Sequence, residues 1–443
     1  MAADPDATPA GDAPVGPELD GLIAALENAG AEHWSLYSTA GRAFRLGVKD
    51  REVANPHGPI RVAESGGVSY RVVWAGGAVS QGRLQRHQVQ TNPDGAAAQA
   101  RLAAHDDPDA AWIPEPAVAP DVLLHDDGAA ALAAGDASAV ARRLSWLRRR
   151  IAHDGFRTWS GSFVAGRTTV ALRSSTGLDA GHVETSVGWH VTLDGEIGDG
   201  YGARAEEPDE QFEARVDEIA RNALRLKDPV RSVAAGVRPV LLHPNVVESW
   251  VIQHLLSNLG GSAVADGEGR FRPEDFTSGR PMLREDLRLA VDPLLPLRAG
   301  SYRFTSEGIP AGRETFVENG RLVSPILGVK YARRLASRPT AIPYAADTLV
   351  LSGPAPTDSD AAAADADALV LSVLGVHTQD AASGDFSLSA PQCLRTGGAG
   401  GGRLRLMLSG NLFDVLRDES LRLVRFPRET TPGLLFRCHV DPR

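Results

Sequence analysis

The chain has 443 residues, with 46 Lys and Arg against 56 Asp and Glu and a formal net charge of -10. Such a balance argues against nonspecific nucleic-acid binding, which needs a surplus of cations facing the phosphates. The length sets two domains of roughly 200 residues as the expectation. Two cysteines, Cys393 and Cys438, are too few for a disulfide framework and fit a reducing compartment.

Met1 to Pro17 is built mainly from Ala, Asp, Pro and Gly, with little to bury, and reads as a disordered tail. It has neither a basic n-region nor an apolar h-region, and no stretch of eighteen apolar residues occurs anywhere. The expectation is a cytoplasmic protein with no membrane contact. Pro17 to about Leu26 predicts a helix. Short strands follow at Trp34 to Tyr37, Ala43 to Val48 and Ser69 to Trp74, each bounded by turn residues. A polar, Ala-rich stretch then runs through Pro114, Pro116 and Pro120.

From about Asp136 to Ile151, apolar residues Val140, Leu144, Leu147 and Ile151 fall at spacings of four, three and four, so a helix is predicted with Asp136 as its N-cap. Arg142, Arg143, Arg148, Arg149 and Arg150 on it read as a solvated face. Thr158 to Val164 and Arg167 to Leu172 predict two strands around an Ala-Gly turn, and Val183 to Leu193 continues the sheet. Asp209 to Leu226 carries an apolar stripe of Phe212, Val216, Ile219, Ala220 and Ala223 with acids at its start, the pattern of a helix.

The predicted divisions are a tail over 1–17, an N-terminal α+β domain over 18–233 and a β-rich C-terminal domain over 234–443. The fold class expected is α+β, an α/β-sandwich-like domain followed by a barrel-like one. Strand candidates in the second part begin with Val237 to Leu242 and end with Gly433 to Val440. The Asp-rich segment Thr357 to Asp367 lacks the glycine and final glutamate of a calcium loop, and reads as a surface loop entering a helix. Gly397 to Gly402 has no Lys or Ser/Thr at its end, so it reads as a flexible loop rather than a phosphate cradle. A Cys393 and His377 nucleophile pair has nothing in the sequence to support it.

A series of segments in the second part is more specific. After Pro239 to Leu242 come Val251-Ile252-Gln253-His254-Leu255-Leu256, Leu259-Gly260-Gly261-Ser262 and Ser306-Glu307-Gly308-Ile309-Pro310. Phe316-Val317-Glu318-Asn319-Gly320-Arg321-Leu322 and Lys330-Tyr331-Ala332-Arg333-Arg334-Leu335 follow, then Gly384 to Ala390 and Leu408-Ser409-Gly410-Asn411-Leu412. In this order they resemble the TldD/PmbA family, with its (Asp/Ser)-Glu-Gly-x-Pro turn, Glu-Asn-Gly hairpin and Gly-Asp-(Tyr/Phe)-Ser stretch. In the first part the likeness rests on Ser174-Ser175-Thr176-Gly177-Leu178.

The resemblance implies that active TldD-type subunits bind zinc with a His-Glu-x-x-x-His helix and a distant cysteine. Such a site keeps one position open for water and places a carboxylate to take its proton. A five-residue spacing puts the histidines about 140° apart on a regular helix, which implies local widening of the π kind. Here Ser249 falls at the first ligand position, Trp250 at the base and His254 at the second ligand, while Cys438 matches the third. Ser is a poor zinc ligand and Trp takes no proton. Glu248 points to nearly the opposite face of a helix from the base position. No catalytic residue and no metal are therefore expected in this chain.

The resemblance thus implies a TldE-like subunit that pairs, as a heterodimer, with a TldD-like catalytic subunit carrying the zinc. Its substrate would be an unfolded or small peptide. Two alternatives are a self-sufficient enzyme with a rearranged metal site using His254, Cys438 and His243 or His439, and a non-enzymatic binding or regulatory protein. High Ala, Arg, Asp and Gly with few Lys suits a GC-rich genome, so a role in peptide or natural-product maturation is among the expectations.

Overall fold

The structure is a computed structural model that describes residues 18–49, 52–53, 61–195, 197–353, 355–396 and 401–443. The tail expected over 1–17 and most of the Gly397 to Gly402 loop lie outside these residues. The N-terminal part is an antiparallel sheet of β1 (Ala31–Lys49), β2 (Glu52–Val53), β3 (Arg61–Trp74), β4 (Val79–Gln85), β5 (Trp159–Ser174), β6 (Asp179–Leu193) and β7 (Ile197–Ala203). The strands stand in the order β4-β3-β1-β5-β6-β7, with β2 on β1.

Two predicted breaks are absent. The sequence predicts a break between strands over Ser38 to Arg42 and a turn at Ala165-Gly166, yet β1 and β5 run straight through both. Gly41 pairs with Ser65 on one side and Thr168 on the other, and Gly166 pairs with Ala43 and Ser186. Ladder bonds on both flanks override the weak local preference of Gly for a turn. The turn lies instead after β5, at Ser175 to Leu178, where Gly177 has φ +98°.

Helices cover one face of this sheet. Near one end, α1 (Glu18–Asn28), α2 (Arg86–Thr91) and α3 (Pro93–Leu102) pack on Trp34, Leu36, Val68 and Val72. Towards the other, α4 (Asp127–Ala134), α5 (Ser138–Asp154) and α6 (Asp209–Arg225) pack on Phe44, Leu46, Phe163 and Trp189. Both sets use the even-numbered side of β1, because side chains alternate along a strand. On the odd-numbered side, Tyr37 packs with Phe304 of the C-terminal part. α3 and α4 escaped the sequence because their buried stripes are mostly alanine, Ala96, Ala97 and Ala100 among them, and α2 because its six residues bury only Val89.

α5 corrects two expectations. Its N-cap position is Ala137, one residue beyond Asp136, whose carboxylate nevertheless accepts the Ser138 N–H at 3.1 Å. Its arginines are not one solvated face: Arg143 is buried and donates to Asp209 at 2.9 Å, and Arg150 donates to Asp217 at 2.7 Å, tying α5 to α6.

The C-terminal part opens with β8 (Gly236–Leu242). A small sheet follows, β9 (Arg288–Val291), β10 (Glu314–Glu318), β11 (Arg321–Leu322) and β12 (Leu349–Ser352), in the order β11-β10-β9-β12. The remaining strands are β13 (Thr357–Asp358), β14 (Ala368–Leu374), β15 (Asp385–Arg395), β16 (Arg403–Asn411), β17 (Arg422–Arg425) and β18 (Gly433–Pro442). β18, β16, β15, β14 and β8 pair in succession and β8 closes back on β18, giving a five-stranded barrel. Closure leaves these strands no free edge. Phe304, between β9 and β10, makes only an isolated bridge, to Pro310. Among the described residues no helix is long and apolar enough to cross a membrane.

Candidate functional site

Between β8 and the small sheet the chain forms a three-part helix: an α turn Pro244–Val246, a π segment Val247–Ile252 and an α segment Gln253–Leu259. The widened turn spans Ser249 and Trp250, the stretch where a five-residue ligand spacing demands it. Its buried side, Val247, Trp250, Val251 and Leu255, packs into the barrel core.

Three of the four family positions lie along this helix, and they differ in character. Ser249 is exposed, and its hydroxyl donates to the Asn245 carbonyl at 2.7 Å. Trp250 is fully buried with its ring edge-on to Phe386 at 4.8 Å, and its indole N–H has no partner. His254 is buried, and its Nδ1 lies 3.2 Å from the Trp250 carbonyl. A carbonyl only accepts, so Nδ1 carries the proton and Nε2 keeps its lone pair. Burial pushes the His254 imidazole below its usual value and keeps it neutral.

Cys438 lies on β18, buried and opposite Arg238. Burial alone pushes its thiol up to about 12, so it stays protonated at neutral pH. Zinc needs three deprotonated protein ligands. This helix and strand offer a committed hydroxyl, an indole, one imidazole and a thiol. Among the described residues no three His, Cys, Asp or Glu side chains stand together in a way that could hold a metal. The residues present do not fit a zinc ion. Cys393 and His377 form no pair, since the thiol is fully buried and donates to Ala390 while the imidazole is exposed.

The titratable groups that do converge lie just before the helix, and no sequence pattern points to them. The Arg215 guanidinium on α6 reaches Glu429 at 2.8 Å, Glu207 at 3.4 Å and Asp199 at 3.7 Å. Glu207 also accepts the Trp189 indole N–H at 2.8 Å, and Asp199 accepts from the Asn245 amide at 3.0 Å. His243 packs edge-on against Phe426 at 5.1 Å, and burial lowers its imidazole. Burial raises the carboxyls of Glu248 and Glu429. One guanidinium serving three carboxylates from separate segments leaves no spacing that a linear reading could find.

The family-like segments themselves are architectural. Glu307 pairs with Arg71 of β3 and accepts the Val329 N–H at 2.9 Å, so the Ser306–Pro310 turn holds the helix Val329–Arg334 against the N-terminal sheet. Asn319 and Gly320 both have positive φ, +52° and +69°, as a type I′ hairpin between β10 and β11 requires. A Cβ on Gly261 would stand 2.7 Å from Tyr331, so Gly260-Gly261 and the Lys330-Tyr331 segment meet. Asp385 pairs with Asn411 across β15 and β16, and the Asn411 side chain caps the following turn at Phe413.

Residues 235–428 match the model of the PmbA/TldA metallopeptidase C-terminal domain. The C-terminal domain belongs to the TldD/PmbA family. No curated protein matches the chain. Among solved structures it is similar to TldE from Thermococcus kodakarensis, with a TM-score of 0.76 at 15% identity over 96% of this chain and 99% of that one. It is also similar to a candidate modulator of DNA gyrase from Bacteroides thetaiotaomicron, with a TM-score of 0.75 at 16% identity, covering 96% of this chain and 98% of the other. A third, a candidate modulator of a DNA gyrase from Thermotoga maritima, gives 0.74 at 17% identity over 96% and 99%. At these identities the likeness is one of fold, and it covers both parts of the chain.

Proposed function

We propose that this chain is a TldE-like subunit with no zinc site of its own, which pairs with a TldD-like zinc metallopeptidase subunit to hydrolyse unfolded or small peptides. The observation that carries this reading is the pair Ser249 and Trp250. The π-widened helix remains, but its ligand position holds a hydroxyl bonded to Asn245 and its base position a fully buried indole. A scaffold built for a metal helix, without the side chains to load it, suits a subunit whose partner supplies zinc, ligands and base. The fold shared with TldE from Thermococcus kodakarensis supports the same assignment. Placement in peptide or natural-product maturation is part of this proposal and rests on composition alone.

The test is co-expression with a TldD-like protein that has an intact His-Glu-x-x-x-His helix. The expected result is a stable heterodimer that cleaves an unfolded polypeptide, with one zinc per heterodimer and activity abolished by changing the partner's glutamate. About one zinc per chain in this protein purified alone, lost with hydrolytic activity in His254→Ala, would overturn the reading in favour of a self-sufficient enzyme. Absence of any complex would also count against it.

A further inference from the structure

The two helix sets on the N-terminal sheet part over the middle of β1. One set packs on Leu36 and the other on Phe44, and between them β1 presents Ala40 and Arg42 on the same side, because alternate residues of a strand share a face. A cavity of about 370 Å³ lies over them, walled by Arg86 at the start of α2 and by Ala130 and Ala134 of α4. Its volume is within the roughly 300–1,000 Å³ of small-molecule sites.

The floor of this seam is a cross-strand row. Glu64 on β3 stands directly opposite Arg42, and Arg42 directly opposite Arg167 on β5. Side chains so placed have their Cβ atoms about 4.5–5.5 Å apart, and like charges there are destabilising. The neighbour of Arg167 on its other flank is Thr185, so no acid in the row adjoins it. Neither the Arg42 nor the Arg167 side chain makes an ion pair or hydrogen bond among the described residues. The charged lining as a whole is Arg42, Arg86 and Arg167 against Glu64, in a chain of net charge -10.

Arg42, Glu64 and Arg167 are exposed, so water satisfies their hydrogen bonds, and the field selects the ligand rather than an orphaned donor. Cations gathered around a concave surface add their potentials within it and favour an anion. Two opposed guanidiniums are matched by one doubly charged group between them. A phosphate monoester carries about -1.5 to -2 at pH 7, and its oxygens fit the guanidinium fork. The methyl groups of Ala40, Ala130 and Ala134 give the same cavity an apolar wall. We propose that this seam binds a small phosphate monoester, its phosphoryl group between Arg42 and Arg167 and its carbon body against the alanines of α4. Opposed arginines break a rule of strand pairing, and such breaks are expected where function offsets them. The site is on the helix side of the N-terminal sheet and is independent of the zinc-helix positions.

The experiment is isothermal titration of the purified full chain, at low salt, with phenyl phosphate, inorganic phosphate and succinate. Saturable binding of phenyl phosphate is expected. It should be at least about tenfold weaker for inorganic phosphate, which has no carbon body, and for succinate, a dianion whose charges are not on one group. Arg167→Gln should weaken phenyl phosphate by about tenfold or more while the melting temperature without ligand stays the same or rises, because the opposed charge is gone. Glu64→Gln should tighten binding, and Arg148→Gln, which removes an exposed cation of α5, should leave it unchanged. No saturable binding, equal binding of either rival anion, undiminished binding or a lowered melting temperature in Arg167→Gln, or weaker binding in Glu64→Gln overturns the proposal. Because the titration uses this chain alone, its failure would leave the heterodimer test standing, and the reverse.

Discussion

The turns and the metal-type helix of the C-terminal domain respond differently to the same ancestry of pattern. At the turns, the family-like residues have backbone duties: Asn319 and Gly320 hold positive φ, Gly308 stands at φ +84°, and Glu307 accepts a helix N–H. On the helix, the two positions that would carry chemistry are filled by a hydroxyl bonded to the Asn245 carbonyl and by a core indole. A fold requirement and a catalytic requirement can therefore separate within one domain, because the first is satisfied by geometry and the second only by particular lone pairs.

The most forceful way to break this contrast is Trp250→Glu, which restores a carboxylate at the base position. Trp250 is fully buried against Phe386, so the change removes a large core side chain and buries a carboxyl, an expected loss of about 4 kcal/mol or more. Urea unfolding measures it. A variant as stable as the parent would mean that the helix is an accommodating ligand seat and not core. Next comes Arg215→Met, which leaves Asp199, Glu207 and Glu429 without their shared cation. Stranding buried charge of this kind costs about 3–5 kcal/mol, and a loss below about 1 kcal/mol would show that water already serves those carboxylates.

A third variant sharpens the turn side of the comparison. A Cβ on Gly320 would stand 2.4 Å from the Leu283 carbonyl oxygen and 2.5 Å from that of Arg284, at a φ of +69°. Gly320→Ala should therefore cost about 2–3 kcal/mol through strain and backbone displacement. The same substitution at Gly155 meets no atom within 4 Å at the same φ of +69°, so it isolates the strain alone and should cost less. Equal losses at the two glycines would remove the contact with the Leu283 segment as the reason for this hairpin.

How legible these features were depends on how local their causes are. The amphipathic stripe of α6 is a one-dimensional signal, and the helix Asp209–Arg225 was readable almost residue for residue. Asn319-Gly320 is also a local signal and is present, as is the π turn that the family's ligand spacing implies. β1 and β5 were cut in two because glycine's local preference was visible and its two flanking ladders were not. The cluster around Arg215 draws on β7, α6, the segment between them and the loop before β18, so only folding brings it together. In the same way, the pair of Arg71 and Glu307 joins residues 236 apart in sequence.

The smallest expected effect is a pH dependence at the start of the metal-type helix. Burial holds the Glu248 carboxyl above its ordinary value, with Asp199 and Asp347 adding to the rise and Thr431 and Arg215 opposing it. In the unfolded chain the same carboxyl ionises near about 4.3. Between that value and the raised folded one, the native state binds more protons than the unfolded state, so stability falls as pH rises through the window and the loss is complete above it. Glu429 is raised in the same direction, again chiefly by burial, so the fall has two contributors. Glu248→Gln should remove one of them: urea midpoints compared at about pH 5 and about pH 8 should show a shallower fall than in the parent. Parallel lines for variant and parent would mean that Glu248 titrates as a solvated carboxyl, and the helix would then begin in water rather than at a buried junction with the N-terminal domain.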